Sequence, residues 1–197
     1  PYDNWTFPPQ PCVMLTSSSA TLNLASNQTI VGAYLIWAGI GNGQGTAINL
    51  NGNSIQPDYV NVLDAHPSTY FFPWNYFSAV KNITNYVQNY GNGIYQVSNF
   101  DLNPFIAFYC SNTVYYAGWN IIVVYSNPSL PNKQLNIYDG YQFVGNPVTT
   151  SYSFSISNLN VTNTAGAKMT YIVYDGSPNF FSNESVKING NTLSNTQ

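Results

Sequence analysis

The one histidine of the chain, His66, lies two residues after a carboxylate in the segment Asp64-Ala-His66. A carboxylate beside an imidazole can orient it for acid–base catalysis, and Ser68 is the nearest hydroxyl group. Ser68 does not belong to the Gly-x-Ser-x-Gly turn that exposes a nucleophilic serine. The acidic residues show no paired glycosidase signature, although folding could bring Asp58, Asp64 and Asp101 together. We therefore predict that no residue is catalytic and that the protein is not an enzyme.

Oxygen ligands for a metal ion occur in the segment Asp101-Leu-Asn103, but the rest of an EF-type calcium loop is missing. Neither cysteine has a partner at the spacing of a zinc site. Asp139 and Asp175 each precede a glycine, and a tight turn explains both of them. The sequence thus predicts no metal and no cofactor.

The two cysteines, Cys12 and Cys110, are far apart in the sequence. In an oxidising compartment, two cysteines without a metal-binding pattern favour one disulfide. That bond could form within one chain or between two copies, because sequence spacing does not decide the geometry.

Five asparagines stand in Asn-x-Ser/Thr sequons, the acceptor motif of N-glycosylation. They are Asn4, Asn27, Asn82, Asn160 and Asn183. Five sequons in one short chain predict that at least some of them carry glycans. Exposed Tyr and Trp could also stack on sugar rings, although a core rich in aromatics gives the same composition.

Charge is scarce, since only 6% of the 197 residues are charged and none is arginine, whereas soluble domains average about 25%. Asparagine occurs 29 times instead. A net charge of −3 argues against nucleic acid as a partner, and the chain has no apolar run of about 20 residues that would span a membrane. We expect an extracellular, cell-surface protein whose signal peptide has been removed.

The elements that must position these residues are mainly strands. Continuous apolar runs at 33–38 and 119–125 predict central strands, and 94–97 predicts a further one. Segments 151–157 and 169–174 have the composition of strands, and the first alternates clearly. Asn51-Gly52 and Asn189-Gly190 predict two tight hairpins. The fold class is therefore all-β, a β-sandwich of jelly-roll or immunoglobulin-like type.

One short helical insertion interrupts the strands. Phe77, Val80, Thr84 and Val87 lie on one helical face, Ser78 could cap the start, and Gly91 follows as a C-cap. We expect a short helix here between two strands.

The first 25 residues form an N-terminal extended arm, separate from the sandwich domain of residues 26–197. Four prolines within 1–11 exclude a central strand there. Two interpretations stay open: an ordinary first strand with a frayed end, or an arm that adds a strand to the sheet of a neighbouring copy. In the second case the candidate apolar contacts are Val13, Leu15, Leu22 and Leu24.

Three segments carry a resemblance to known proteins: Ala33-Tyr-Leu-Ile-Trp-Ala-Gly39, Ala117-Gly-Trp-Asn-Ile-Ile-Val-Val-Tyr-Ser-Asn-Pro128 and Ile137-Tyr-Asp-Gly-Tyr141. They resemble a β-rich module of prokaryotic surface and adhesion proteins, as does the piece Asn82-Ile-Thr-Asn-Tyr-Val87. In organisation and composition the chain is also similar to the subunits of archaeal thread filaments. That resemblance implies glycosylated β-sandwich subunits in which the N-terminal arm of one subunit completes the sheet of the next. It also implies a disulfide between Cys12 and Cys110 across or near the junction.

Together these observations predict a structural subunit of an extracellular filament that serves adhesion or biofilm formation. Its partners would be identical subunits and N-linked glycans. The alternative is a monomeric secreted adhesin or carbohydrate-binding module. A viral coat subunit is the third interpretation, and a secreted hydrolase is the fourth.

Overall fold

The structure is a computed structural model that describes residues 12–43, 46–64, 75–110, 116–144, 150–159, 161, 167–174 and 185–193; side chains 108–110 are not included. The strands are β1 (Ser18–Leu22), β2 (Thr29–Ile40), β3 (Ile48–Leu50), β4 (Asn53–Ile55), β5 (Tyr59–Asp64), β6 (Asn75–Asn82), β7 (Gly93–Ser98), β8 (Ala117–Ser126), β9 (Lys187–Ile188) and β10 (Asn191–Thr192). The helices are α1 (Thr84–Tyr90) and α2 (Asn103–Cys110).

The strands form antiparallel sheets, which confirms the predicted β-rich fold. One four-stranded sheet has the order β1-β7-β3-β4, a second has the order β5-β6-β2-β8, and β9 pairs with β10. A single cluster of buried side chains includes Trp37 of β2, Leu50 of β3, Phe77 of β6 and Val87 of α1. Both four-stranded sheets therefore contribute to one hydrophobic core.

Strand β2 lies between β6 and β8, as its continuous apolar sequence predicts. Trp37 is opposite Ala79 of β6 and Trp119 of β8. Its side chain is completely buried, and its indole Nε1 donates a hydrogen bond of 2.9 Å to the Thr46 carbonyl. Burying this ring stabilises the fold through its apolar area, while the hydrogen bond removes the penalty of an unpaired N–H group.

Both Asn-Gly hairpins form where the sequence places them. Asn51-Gly52 joins β3 to β4, and Asn189-Gly190 joins β9 to β10. The asparagines have φ angles of 46° and 49°, and the glycines have φ angles of 81° and 80°. Two successive positive φ angles match the twist of the flanking strands, which is why asparagine followed by glycine occurs there.

The predicted helical insertion exists, but it begins later than the sequence suggested. Residues 75–82 form strand β6, and α1 covers only Thr84–Tyr90 before Gly91, whose N–H donates to the Val87 carbonyl at 2.8 Å. Tyr76 to Val80 are all buried. A strand that is buried on both faces has no alternation, so apolar residues three apart within it can imitate a helical face.

A second helix, α2, was not predicted. Its start is fixed by Asp101, whose Oδ1 accepts a hydrogen bond of 2.9 Å from the Asn103 N–H. Pro104 then occupies the first turn, where a missing N–H costs nothing. The sequence therefore contained a helix-start signal at the segment that we considered as a calcium ligand.

Two further strand predictions differ from the structure. Strand β8 forms, but in the described residues it lies at the end of its sheet, and most of its side chains are only half-buried. Residues 151–157 and 169–174 have no regular secondary structure, and Phe154 is 69% exposed. Strand-like composition requires a free sheet edge as a partner before it produces a strand.

Candidate assembly interface

The described part of the N-terminal arm, residues 12–25, includes a strand on the edge of the chain's own sheet. Strand β1 runs antiparallel to β7, with Ser18 opposite Val97 and Leu22 opposite Gly93. Strand β7 is bordered by β3 on its other side, so β1 covers an edge that would otherwise be open. An open edge of this kind is a template for another strand.

Asparagine side chains extend the pairing beyond both ends of β1. At one end, the Leu24 N–H donates to Asn92 Oδ1 at 2.7 Å, and Asn92 Nδ2 donates to the Leu24 carbonyl at 2.7 Å. At the other end, Asn103 Oδ1 accepts from the Met14 N–H at 2.9 Å, and Asn103 Nδ2 donates to the Met14 carbonyl at 3.4 Å. Each amide offers one acceptor and one donor to the arm, as a residue of a neighbouring strand would.

We call the contacts of Asn92 and Asn103 with the arm backbone the two clamps. Two other polar contacts hold the arm between them. The Phe100 N–H donates to the Thr16 carbonyl at 3.1 Å. The Trp119 indole Nε1 of β8 donates to Ser18 Oγ at 2.7 Å. From Met14 to Leu24 the arm is thus bound mainly through its backbone. No spacing in the sequence revealed Asn92, Asn103 or Trp119 as its partners.

The apolar side chains of the arm divide into two groups. Leu22 and Leu24 are half-buried, and Leu22 packs against the core. Val13 and Leu15 are 69% and 70% exposed, while Met14 between them packs against the core. In the chain's own sheet, Met14 therefore takes the inward position, and Val13 and Leu15 stay available to another surface.

Cys12 begins the described part of the chain and is not a free thiol. Cys110 ends α2, whose first residue, Asn103, holds the Met14 backbone. The side chain of Cys110 lies outside the described atoms, so the pairing of the two cysteines stays a prediction.

Two of the five sequons lie within the described residues, and both asparagines are exposed. Asn27 Nδ2 donates to Asn127 Oδ1 at 3.2 Å and to Ser129 Oγ at 3.4 Å. Asn82 instead uses its Oδ1, which accepts from the Thr84 N–H at 3.0 Å and from Thr84 Oγ1 at 2.7 Å. Asn4, Asn160 and Asn183 lie outside the described residues.

Among the residues that we considered for acid–base chemistry, Asp58 has structural partners. Asp58 forms an ion pair with Lys81 at 2.5 Å and accepts a hydrogen bond of 2.8 Å from the Asn82 N–H. These hydrogen bonds, first from Lys81 and then from Asn82, lower the pKa of Asp58. Asp64 ends β5, and His66 and Ser68 lie outside the described residues.

A tyrosine-rich cluster connects Tyr141 and Tyr174 to the second sheet. The Tyr116 ring stacks on Tyr76 at 5.4 Å and on Tyr174 at 5.7 Å, and its hydroxyl group is hydrogen-bonded to that of Tyr141. Tyr174 also accepts a hydrogen bond of 2.9 Å from Asn120 Nδ2 of β8. Burial raises the pKa of both Tyr141 and Tyr174. These rings have a packing role, which accounts for part of the high tyrosine content.

In the parts of the chain that the structure describes, no group of three or more His, Cys, Asp or Glu side chains could hold a metal ion. Of the two helices found there, neither is long and apolar enough to cross a membrane. No family model, curated protein or solved structure matches the chain.

Proposed function

We propose that the protein is a β-sandwich subunit of an extracellular, cell-surface filament that serves adhesion or biofilm formation. In this proposal the arm, residues 1–25, leaves its own sheet and adds a strand to residues 26–197 of the next subunit. One observation supports it most: the arm is held through its backbone on a sheet edge, while Val13 and Leu15 remain exposed. Backbone pairing can be reproduced by an identical edge on another copy.

Moving the arm to a neighbouring subunit would, by itself, leave its contacts unchanged. The β1–β7 hydrogen bonds and the clamps by Asn92 and Asn103 would form again with the same partners. Polymerisation must then be favoured by extra contacts, and burying an apolar side chain contributes about 1.5–3 kcal/mol. Val13 and Leu15 are the side chains placed for this. Contact between unlike surfaces need not close, and it produces a filament.

The scarcity of charge gives the proposal its chemical setting. Subunits with four Lys and no Arg have few means of forming ion-pair networks, so strand pairing and apolar burial must provide cohesion. The proposal further includes N-glycans on sequon asparagines and a Cys12–Cys110 disulfide near the junction. Both modifications belong to an oxidising, extracellular environment.

Deletion of the arm tests the proposal directly. We expect a chain without residues 1–25 to stay monomeric and the full-length chain to form polymers that resist SDS and heat. Size-exclusion chromatography and electron microscopy of the full-length and truncated chains distinguish the two states. Polymers formed by the truncated chain would show that the arm is not required.

A cross-strand disulfide determines whose sheet receives the arm. Thr21 and Ile94 are directly opposite in the β1–β7 register, and both side chains are exposed. Opposite residues in antiparallel strands are close enough for a disulfide. In the double variant T21C/I94C, oxidation before assembly should lock the chain as a monomer. Oxidation after assembly should instead produce a covalent ladder on a non-reducing SDS gel.

The matched control is the pair T21C/N53C, because Asn53 lies on β4 at the far side of the same sheet. This pair should give neither the locked monomer nor the ladder. If T21C/I94C forms only bonds within one chain after assembly, the arm remains on its own sheet and the exchange is excluded.

One observation favours the alternative, a monomeric carbohydrate-binding module. A surface pocket of about 360 Å³ is lined by amides and aromatic rings, namely Asn51, Asn53, Tyr86, Asn89 and Tyr90. Amides and tyrosines suit the polar edges and apolar faces of a neutral sugar. Under this alternative the chain without residues 1–25 binds a glycan array as well as the full chain does.

A further inference from the structure

A second groove borders the end of strand β6, and a sequon asparagine forms part of its wall. The groove has a volume of about 560 Å³, within the roughly 300–1,000 Å³ of small-molecule sites. Asn82 lines it together with Tyr34, Tyr86 and Asn85, and Val31 and Ile55 add apolar surface. The groove therefore combines aromatic rings, amides and aliphatic groups beside a glycosylation motif.

The geometry of the Asn82 side chain suits a glycan. Its Oδ1 accepts both hydrogen bonds from Thr84, and its Nδ2 donates none to any described residue. In N-glycosylation, a bond forms between Nδ2 and the anomeric carbon of a lipid-linked oligosaccharide. The bond from that carbon to the lipid phosphate breaks, and the amide loses one proton. A sugar on Asn82 thus removes no hydrogen bond that Nδ2 makes among the described residues.

The other sequon in the described residues provides a contrast. Asn27 Nδ2 donates to both Asn127 and Ser129, so a sugar there would displace at least one of these bonds. Both asparagines are exposed, and accessibility alone does not separate them. The use of Nδ2 is what differs between the two sequons.

Two tyrosine rings line the groove beside Asn82. Tyr34 of β2 is directly opposite Asn82 in the β2–β6 register, and opposite side chains project from the same face of a sheet. Tyr86 of α1 forms another part of the groove and stacks against Tyr90 with ring centres 5.9 Å apart. An aromatic face buries the apolar face of a sugar ring, while Asn85 offers polar groups to its hydroxyls.

We infer that Asn82 carries an N-glycan whose innermost sugars lie in this groove against Tyr34 and Tyr86. The groove is then a binding site for the chain's own glycan. This inference rests on the glycosylation within the proposed function but not on polymerisation. A chain that stays monomeric can therefore still support it, and a chain that polymerises can still contradict it.

The test uses the full chain secreted from a eukaryotic host, whose N-glycans begin with N-acetylglucosamine. Glycopeptide mass spectrometry reports whether Asn82 is occupied. Peptide N-glycosidase then releases the glycan from native and from denatured protein, so that each variant provides its own reference rate. We expect occupancy at Asn82 and release at least about ten-fold slower from the native chain, as burial of one sugar face would produce.

Three substitutions make the readout specific. In Y86A, the glycan should be released from native protein almost as fast as from denatured protein. Y86F keeps the aromatic ring, so release from native protein should stay slow. Y138A is the matched control, because Tyr138 is a 54% exposed tyrosine that does not line the groove. Circular dichroism confirms that each variant is folded. An unmodified Asn82, equal release from native and denatured protein, or no effect of Y86A would each overturn the inference.

Discussion

At the scale of single residues, Asn51 shows how an uncharged side chain can fix a sheet. Its backbone N–H donates to the Gln96 carbonyl at 2.8 Å, and its Oδ1 accepts from the Gln96 N–H at 2.6 Å. Its φ of 46° lies in the left-handed region that asparagine tolerates better than most residues. One asparagine thus makes the β3–β4 turn and attaches it to β7.

The two Asn-Gly turns allow a matched prediction. N51A should lower the free energy of unfolding by about 2 kcal/mol, because it loses a hydrogen bond to β7 and keeps an unfavourable positive φ. N189A has a similar φ of 49° but lies in the exposed β9–β10 hairpin, so we expect about 1 kcal/mol or less. Urea unfolding of both variants measures the difference. Equal losses would mean that the Gln96 contact contributes nothing.

At the scale of elements, α1 is anchored in the core by one fully buried side chain. Val87 is the one buried residue within this helix, and it packs against the core with Tyr95 and Val97 of β7. Its N-cap residue, Ile83, makes no capping hydrogen bond, and Asn82 Oδ1 accepts one from the Thr84 N–H at 3.0 Å. A seven-residue helix is too short to be stable by itself, so packing must hold it.

We therefore expect V87A to lower the free energy of unfolding by about 2 kcal/mol, through lost burial and the cavity that remains. N89A, at an exposed position of the same helix, should change it by about 0.5 kcal/mol or less. Thermal unfolding followed by circular dichroism compares the two. A similar effect of both variants would contradict the role of Val87 as the anchor.

The elements also show how far sequence reasoning reaches. The strand over 33–38, the strand over 94–97 and both Asn-Gly hairpins were predicted, because their signals are local. The predicted start of the helix was wrong. The buried strand β6 shows no alternation of apolar and polar residues, and its apolar residues also fit a helical face. Residues 151–157 alternate as a strand does, but alternation does not specify a partner edge.

The candidate interface was predictable only in outline. Prolines within residues 1–11 indicated an arm, and residues 18–22 of it lie on a sheet edge. The side-chain clamps of Asn92 and Asn103 depend on contacts 68 and 89 residues apart in the chain. In a chain with 29 asparagines, composition does not reveal which ones make such contacts.

At the scale of the whole molecule, the scarcity of acidic groups predicts tolerance of acid. Asp58 has a pKa below its ordinary value of 3.8, so its contribution to stability is present above that value and is lost as pH falls through the lowered pKa. The Asp58–Lys81 pair is partly exposed, and such surface pairs contribute little. We expect the Tm to fall by less than about 4 °C between pH 7 and pH 3. In the D58N variant the Tm should fall even less over this pH range. A larger fall in D58N than in the unsubstituted protein would contradict the assigned role of Asp58.

At high pH, in contrast, we expect the fold to lose stability. Burial, with Tyr86 and Tyr90 as neighbours, raises the pKa of Tyr95 to about 12, and burial with the Asp139 hydrogen bond does the same for Tyr59. A raised pKa stabilises the fold below pH 10, and that stability is lost as pH rises through the folded value. We expect the Tm to fall steeply between pH 10 and 12. In Y95F the Tm should fall less over this range. A Tm of the unsubstituted protein that does not change up to pH 12 would contradict the prediction.

The position of β1 on its own sheet has a kinetic consequence. Only residues 23–28 separate β1 from β2, and a short tether gives the arm an effective concentration in the millimolar range at its own edge. Under the proposed exchange, every incoming arm competes with this resident strand. Growth of a filament would therefore be limited by the rate at which arms detach from their own sheets. At low concentration, subunits would remain monomers with β1 paired to their own β7. A filament end whose β7 edge is already vacant would then extend faster than a new filament starts.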